Sequence, residues 1–149
     1  MFSANFINAV ANGNAYSWTN VDYDYDAADT ILWVANTGTG GKNLFIERVD
    51  VSSDTATVYT IHLPTYTAPA GTVVTETNLS ANSTNAATDS AYADETNNTQ
   101  GNKVAGGHLM ASDTKTVDVS VKLGYNKCIA VDLVDAGTGA VVTIWGYFA

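Results

Sequence analysis

The sequence predicts an all-β protein: an antiparallel β-sandwich of jelly-roll-like type, with about eight strands and an N-terminal arm. First, apolar and polar residues alternate along several short stretches of the 149-residue chain, which is the period of a half-buried strand. Second, the composition includes 20 Thr and 8 Tyr, two residue types that favour strands. Third, clusters of Asn and Gly, which form turns, separate these stretches at short intervals.

Residues 1–14 are the least strand-like part of the chain and are expected to form the N-terminal arm. Phe2, Phe6, Ile7 and Val10 recur at near-helical spacing, which indicates either a short helix or an extended segment. Apolar residues on a terminal arm usually need a partner surface. We therefore expect these four side chains to contact a partner protein or a sister subunit.

Residues 15–149 are expected to form one sandwich domain. The turns after residues 36 and 52 are expected to be hairpin turns, so that consecutive strands pair in antiparallel fashion. A segment rich in Asn, Thr, Ala and Ser, residues 80–107, is expected to be a long loop, and loops of this length are usually functional or mobile. Alternation and apolar runs predict strands at residues 16–25, 31–35, 44–51, 55–63, 72–79, 114–123, 128–134 and 141–148.

The charge of the chain is sparse and one-sided, with 6 basic against 15 acidic residues and a net charge of -9. Nucleic-acid binding needs a basic patch for the phosphates, so no nucleic-acid partner is expected. An anionic membrane surface is disfavoured for the same reason, and no apolar stretch approaches the ~20 residues that span a bilayer. The first residues show no basic and apolar signal-peptide regions, so no signal peptide is expected.

Asp22, Asp24 and Asp26 are the best candidates for metal ligands. Strand alternation would place them on one face, about 7 Å apart. Calcium prefers several oxygen ligands that converge on one point, which a flat row of carboxylates does not provide. We therefore expect no metal or other cofactor here, and interpret the row as a solvated strand edge that discourages unwanted strand pairing.

The candidate catalytic residues each lack the neighbours that their chemistry requires. His62 and His108 are the only histidines, without zinc-ligand spacing, and are interpreted as structural. Cys128, the single cysteine, excludes an internal disulfide and has no context for thiolate activation. The Gly-rich segment 37–42 lacks the spacing of a phosphate-binding loop. The sequence thus predicts no enzyme, although a pair of carboxylates for glycoside hydrolysis stays open.

Aromatic residues are numerous enough to form a contact surface. Trp33 and Trp145 lie in apolar strands and are expected in the core. Trp18, Tyr23 and Tyr25 are the better candidates for an exposed aromatic platform. Such residues often anchor protein interfaces, so subunit contact is at least as well supported as stacking on a sugar.

Three segments resemble a group of small phage virion proteins. Residues 31–38 (ILWVANTG) resemble its apolar strand followed by Asn-Thr, residues 44–54 (LFIERVDVSSD) its partner strand ending in Ser-Ser-Asp, and residues 71–79 (GTVVTETNL) its Gly-Thr-x-Val-x-x-x-Asn-Leu element. The resemblance covers roughly residues 30–149. It implies a capsid decoration (cement) protein, or a related head or tail appendage, on the outer surface of the virion. Such proteins are typically β-sandwiches that assemble as trimers.

Three functions are therefore weighed. In the first, a homotrimer stabilises the particle by bridging subunits of the major capsid protein, with the arm docked on the capsid or on a sister subunit and residues 80–107 on an outer or intersubunit surface. In the second, a fibre or appendage module binds a host receptor or carbohydrate through its exposed aromatic residues. In the third, the chain is a small β-sandwich hydrolase with a carboxylate pair in a cleft.

Overall fold

A computed structural model describes residues 1–67, 71–87, 89–94 and 99–149, with backbone only for residues 89, 90 and 94. Most of these residues lie in strands, which form two antiparallel sheets that share one hydrophobic core. The predicted all-β class with two antiparallel sheets is thereby confirmed. The described residues form eleven strands, more than the eight or so that the sequence predicts.

The elements are one helix, α1 (Ala4–Ala11), and the strands β1 (Ala15–Asp22), β2 (Thr30–Asn36), β3 (Leu44–Ser53), β4 (Thr57–Leu63), β5 (Thr72–Val73), β6 (Thr77–Asn78), β7 (Asp89–Asp94), β8 (Asn102–Leu109), β9 (Asp113–Leu123), β10 (Lys127–Leu133) and β11 (Ala140–Phe148). The five-stranded sheet has the order β6-β1-β11-β3-β9. The six-stranded sheet has the order β5-β7-β2-β10-β4-β8.

The core lies between the two sheets and is built from alternate residues of their strands. Trp18, Ile46 and Ile144 enter it from the five-stranded sheet, and Ile61 and Ile129 enter it from the six-stranded sheet. All five are at most 1% exposed. Burial of each such side chain contributes about 1.5–3 kcal/mol, so this interior supplies the main stabilisation of the domain.

Consecutive strands do not pair with each other anywhere in the described part of the chain. Strand β2 lies in the six-stranded sheet, β3 in the five-stranded sheet and β4 again in the six-stranded sheet. The hairpins predicted after residues 36 and 52 are therefore wrong. Turn residues reverse the chain equally well when it crosses to the opposite sheet. The turns were therefore predicted correctly, but the strands on either side of each turn pair with other strands and not with each other.

The long loop predicted at residues 80–107 is also wrong, because strand β7 and most of strand β8 lie within it. Strand β7 pairs with β2, and β8 pairs with β4. In β8 a side chain on Gly106 would lie 2.9 Å from the Tyr59 carbonyl oxygen, and one on Gly107 would lie 3.3 Å from the Tyr59 ring. The two glycines therefore allow a close approach to β4, which propensity alone does not reveal. Residues 88 and 95–98 of the segment lie outside the described residues.

The sandwich has two ends, which we call the lysine end and the aspartate end. The lysine end is where β1, β3 and β10 begin and where β2, β4, β9 and β11 end. At the aspartate end these strands have their other termini. This end also carries the turns around residues 23–26, 54–56, 110–112 and 135–139.

Candidate contact surfaces

The N-terminal segment forms helix α1, one of the two conformations expected for the arm. Its N-cap is Ser3, whose Oγ accepts a hydrogen bond from the Phe6 N–H at 3.1 Å. The Ser3 N–H and hydroxyl in turn donate to the two carboxylate oxygens of Glu47 in β3, at 3.1 and 2.7 Å. The helix is thus tied at its first turn to the five-stranded sheet.

The apolar face of α1 packs on the same sheet. Phe6 is 3% exposed and lies edge-on to Tyr147, with the two ring centroids 6.2 Å apart. Phe2 stacks on Phe6 at 4.2 Å, and the Arg48 guanidinium lies 4.4 Å from the Phe2 centroid. The prediction that Phe6 faces a partner is therefore wrong, because the chain covers this ring itself.

The other two predicted arm contacts differ in exposure. Ile7 is 59% exposed on the outer side of α1. Val10 is half-buried and packs beside Phe6 and Ala9. Of the four arm residues, Ile7 is therefore the one that presents most of its side chain to a partner.

The predicted exposed aromatic platform is wrong at two of its three residues. Trp18 is fully buried between the sheets, because it enters the core beside Tyr16. Tyr25 is 2% exposed, and its hydroxyl lies 2.6 Å from the Ser53 hydroxyl. Burial raises the pKa of Tyr25 above its ordinary value. Tyr23 is 77% exposed, so one aromatic residue of the platform remains accessible.

Asp22, Asp24 and Asp26 do not share one strand face, because β1 ends at Asp22 and the chain turns. Asp22 Oδ1 accepts a hydrogen bond from the Asp24 N–H at 3.2 Å, and the Asp26 N–H donates to Asp29 Oδ2 at 2.9 Å. These contacts are typical of turns stabilised by aspartate side chains. Within the described ranges, no three His, Cys, Asp or Glu residues are grouped in a way that could hold a metal ion.

Half of the outer face of the five-stranded sheet is open. Helix α1 covers the half that contains Phe45, Trp145 and Tyr147. The other half carries two rows of paired residues across β1, β11, β3 and β9, which we call the open face: Val21, Val141, Ser52 and Thr114 in one row, and Thr19, Thr143, Asp50 and Thr116 in the next.

The open face is almost uncharged and is made largely of β-branched side chains. Val21 is 44% and Val141 is 38% exposed, and they lie directly opposite each other. The hydroxyls of Thr19 and Thr143 lie 2.9 Å apart. The single charged residue is Asp50, whose Oδ2 accepts a hydrogen bond from Trp145 Nε1–H at 3.0 Å. No local sequence pattern marks this surface, since its residues come from four separate strands.

A cleft of about 550 Å³ opens at the lysine end, and we call it the lysine cleft. Its cationic members are Lys122 and Lys127. Cys128 is 4% exposed, and its thiol donates to the Pro64 carbonyl at 3.2 Å. Burial raises the pKa of this thiol to about 11, so it stays protonated at neutral pH. The other lining residues are Leu63, Pro64, Thr65, Tyr66, Leu123 and Asn126.

A buried polar cluster joins three strands of the six-stranded sheet. His62 Nε2 lies 2.7 Å from Asp132 Oδ2, off the direction of an ideal N–H bond. The Thr30 hydroxyl donates to Asp132 Oδ1 at 2.7 Å, and the Gly101 N–H donates to His62 Nδ1 at 3.2 Å. The partnership of His62 with Asp132 is not predictable from the sequence, because the two residues are 70 positions apart and meet only through the pairing of β4 with β10. Because His62 and Asp132 are 0% and 3% exposed, we interpret them as a structural pair.

No known protein family and no curated protein matches this chain. In the described part of the structure, no helix has the length and apolar character needed to cross a membrane.

Proposed function

We propose that the chain is a capsid decoration (cement) protein of a bacteriophage, without enzymatic activity. It binds the outer capsid surface and bridges neighbouring copies of the major capsid protein. The open face is the observation that carries this proposal. The jelly-roll-like strand arrangement expected from the sequence belongs to the same proposal. An experimental structure of the assembled protein, which shows how its strands are connected, tests it.

The open face suits a static contact. Val and Thr side chains are restricted at χ1, so they lose little conformational freedom when a partner covers them. Seven of the eight residues are uncharged and cost little to desolvate, whereas Asp50 needs a hydrogen-bond donor from the partner for its Oδ1. Its paired backbone is already ordered before binding, which lowers the free-energy cost of association further.

The size of the open face favours several copies acting together. Four strands at about 4.8 Å spacing and two rows of residues give roughly 250 Å². A stable interface buries about 800 Å² per partner, so one open face is too small on its own. Three faces on a homotrimer reach this range, and linked copies also gain from their high effective concentration. We therefore include a homotrimer in the proposal.

The test is binding of the purified chain to capsids that have been stripped of their outer proteins. Val141→Asp places an unpaired charge in the open face, whereas Val134→Asp changes a valine of similar exposure elsewhere, 44% against 38%. We expect Val141→Asp to weaken capsid binding by about tenfold or more, and Val134→Asp to leave it unchanged. Equal occupancy of both variants, measured by co-sedimentation, contradicts the proposal, as does wild-type protein that neither binds nor stabilises the particles.

A second candidate function is a fibre or appendage module that binds a host receptor or carbohydrate. The observation that favours it is Tyr23, a 77% exposed aromatic ring at the aspartate end. Exposed aromatic rings suit stacking on sugars and anchoring of proteins. A glycan array that gives signals with the wild type and none with Tyr23→Ala would favour this function over capsid decoration.

A further inference from the structure

The basic residues are distributed very unevenly over the molecule. Arg48 and Lys115 pair with carboxylates at 3.1 Å. The other four of the six have no carboxylate within salt-bridge distance among the described residues. All four lie towards the lysine end, near the first or last residues of their strands or in the adjoining turn: Lys42, Lys103, Lys122 and Lys127.

The acidic residues concentrate at the opposite end. The exposed or half-exposed ones there are Asp22, Asp24, Asp26, Asp54, Asp113 and Asp135. At the lysine end, the backbone of Asp89 in β7 pairs with Asn36 in β2, and Asn36 pairs in turn with Lys127 in β10. Asp89 is therefore two strands, or about 10 Å, away from Lys127. Glu47 and Glu76 lie in or next to the half of the five-stranded sheet that is nearer the lysine end. The two ends therefore differ in charge, with the unpaired lysines towards one end and the exposed aspartates concentrated at the other.

The lysine cleft is lined by two of these lysines, Lys122 and Lys127, together with the apolar residues Leu63, Pro64 and Leu123. Both lysines are exposed. Lys122 Nζ lies 6.0 Å from the ring centroid of Phe45, which does not line the cleft, so Lys122 borders the cleft with its ammonium group directed towards Phe45. Positive charges at the border of a cleft favour an occupant that carries anionic groups. A volume of about 550 Å³ is within the range of ligand-binding clefts, so the geometry suits an apolar group with carboxylates beside it.

A group of this composition projects from the aspartate end of the same chain. Tyr23 lies between Asp22 and Asp24 in the turn after β1, and we call these three residues the aspartate tip. The base of the tip is held by two backbone hydrogen bonds between Tyr25 and Gly137, at 3.2 and 3.1 Å. Tyr23 is nevertheless 77% exposed, which leaves a large aromatic ring in water on an anchored turn.

We infer that the aspartate tip of one copy inserts Tyr23 into the lysine cleft of a second copy, with Asp22 and Asp24 beside Lys122 and Lys127. The tip and the cleft lie at opposite ends of the sandwich, so the contact is head-to-tail. Such contacts build a closed ring, or a filament when the rotation does not close. The inference rests on the self-association included in the proposed function and supplies its interface, but it does not depend on the capsid.

The test uses two charge-reversed forms of the full chain. The tip variant carries Asp22→Lys and Asp24→Lys, and the cleft variant carries Lys122→Glu and Lys127→Glu. Each variant alone places like charges on both sides of the contact, so we expect its self-association to weaken by about tenfold or more. In an equimolar mixture, each contact between a tip variant and a cleft variant again joins opposite charges, and we expect association to return. The restored assemblies should be dimers, open chains or even-membered rings, because a ring of three keeps one contact between like charges. Analytical ultracentrifugation over a wide concentration range measures this.

Matched controls separate a local contact from a change in net charge. Lys42→Glu with Lys103→Glu changes the net charge as much as the cleft variant does, and Asp26→Lys with Asp135→Lys does so for the tip variant. We expect both controls to assemble like the wild type. Tyr23→Ala, which leaves the charges of the tip in place, should also weaken assembly.

Several outcomes overturn the inference: a monomeric wild type, an assembly that either charge-reversed variant keeps, or a mixture that stays monomeric while both variants are folded by circular dichroism. These outcomes are independent of the capsid assay. Val141→Asp should lose capsid binding and keep self-association, whereas the tip variant should lose self-association first.

Discussion

The packing of α1 predicts that Phe6→Ala destabilises the domain. Phe6 is 3% exposed and contacts the rings of Phe2 and Tyr147, at centroid distances of 4.2 and 6.2 Å. Truncation of a buried Phe costs about 3–5 kcal/mol, through lost transfer free energy and the cavity that remains. Because a single short helix can shift to fill part of that cavity, we expect about 3 kcal/mol. For a domain of this size, that lowers the Tm by roughly 6–12 °C.

Chemical denaturation followed by tryptophan fluorescence measures this change, since Trp145 lies beside Phe2 at 5.7 Å between ring centroids. Ile7→Ala is the matched control, because Ile7 lies on the same helix and is 59% exposed. Its expected effect is within about 0.5 kcal/mol. If Phe6→Ala and Ile7→Ala have the same small effect, α1 does not stabilise the domain, and residues 1–14 are a free arm as the sequence alone suggests.

Three further predictions concern polar groups. Asp132→Ala removes the carboxylate that the Thr30 hydroxyl and the buried His62 contact, so the free energy of unfolding should fall by about 3 kcal/mol in a denaturant titration. Asp135→Ala, at an exposed position, is the control and should lower it by less than about 0.5 kcal/mol. The pKa of Asp54 is lowered below its ordinary value of 3.8, chiefly because the Thr138 hydroxyl donates a hydrogen bond to its carboxylate. The stabilisation that Asp54 contributes is therefore present above pH 3.8 and is lost as the pH falls through the pKa of the folded state. Thr138→Val should raise the pKa of Asp54 in an NMR titration. Burial raises the pKa of Cys128 to about 11, so a thiol reagent near neutral pH should modify the native chain far more slowly than the denatured chain. Equal modification rates for the native and denatured chains would show that the thiol is accessible.

Periodicity predicted those strands whose burial is one-sided or complete. In β9, Val117, Val119 and Val121 are half-buried against the core, whereas their neighbours Thr116 and Asp118 are exposed, as the alternation predicts. The continuous apolar run in β2 predicted a strand buried on both faces. It lies between β7 and β10, and its outward-facing Trp33 is covered by Tyr66 and Tyr92.

Other elements depend on partners that are distant in sequence. Strands β7 and β8 consist largely of Asp, Ser, Ala, Gly and Asn, which have low strand propensity, and they form because β2 and β4 offer them paired backbone groups. The surface position predicted for Trp18 depends on the contrast with Trp33 and Trp145, which lie in apolar strands. The first half of β1 is nevertheless buried on both faces, so the mixed composition of this strand does not reveal that Trp18 enters the core.

The candidate contact surfaces were the least predictable part of the molecule. The open face joins Val21 to Val141 and Thr114 through pairing across four strands, and no local pattern marks such a set. His62 and Asp132 meet for the same reason, through the pairing of β4 with β10. The exposure of Tyr23 was predictable, since it lies between the aspartates Asp22 and Asp24.

The position of β11 in its sheet has a consequence for synthesis of the chain. This strand lies at the centre of the five-stranded sheet, between β1 and β3, yet it is synthesised after the other ten described strands. Until residues 140–148 emerge, β1 and β3 have no common neighbour, and the inner face of the other sheet lacks most of its cover. Completion of the five-stranded sheet therefore waits for residues 140–148 and cannot accompany synthesis of the earlier strands. With pairings this distant along the chain, folding should take milliseconds to seconds, a window in which unpaired strands can aggregate.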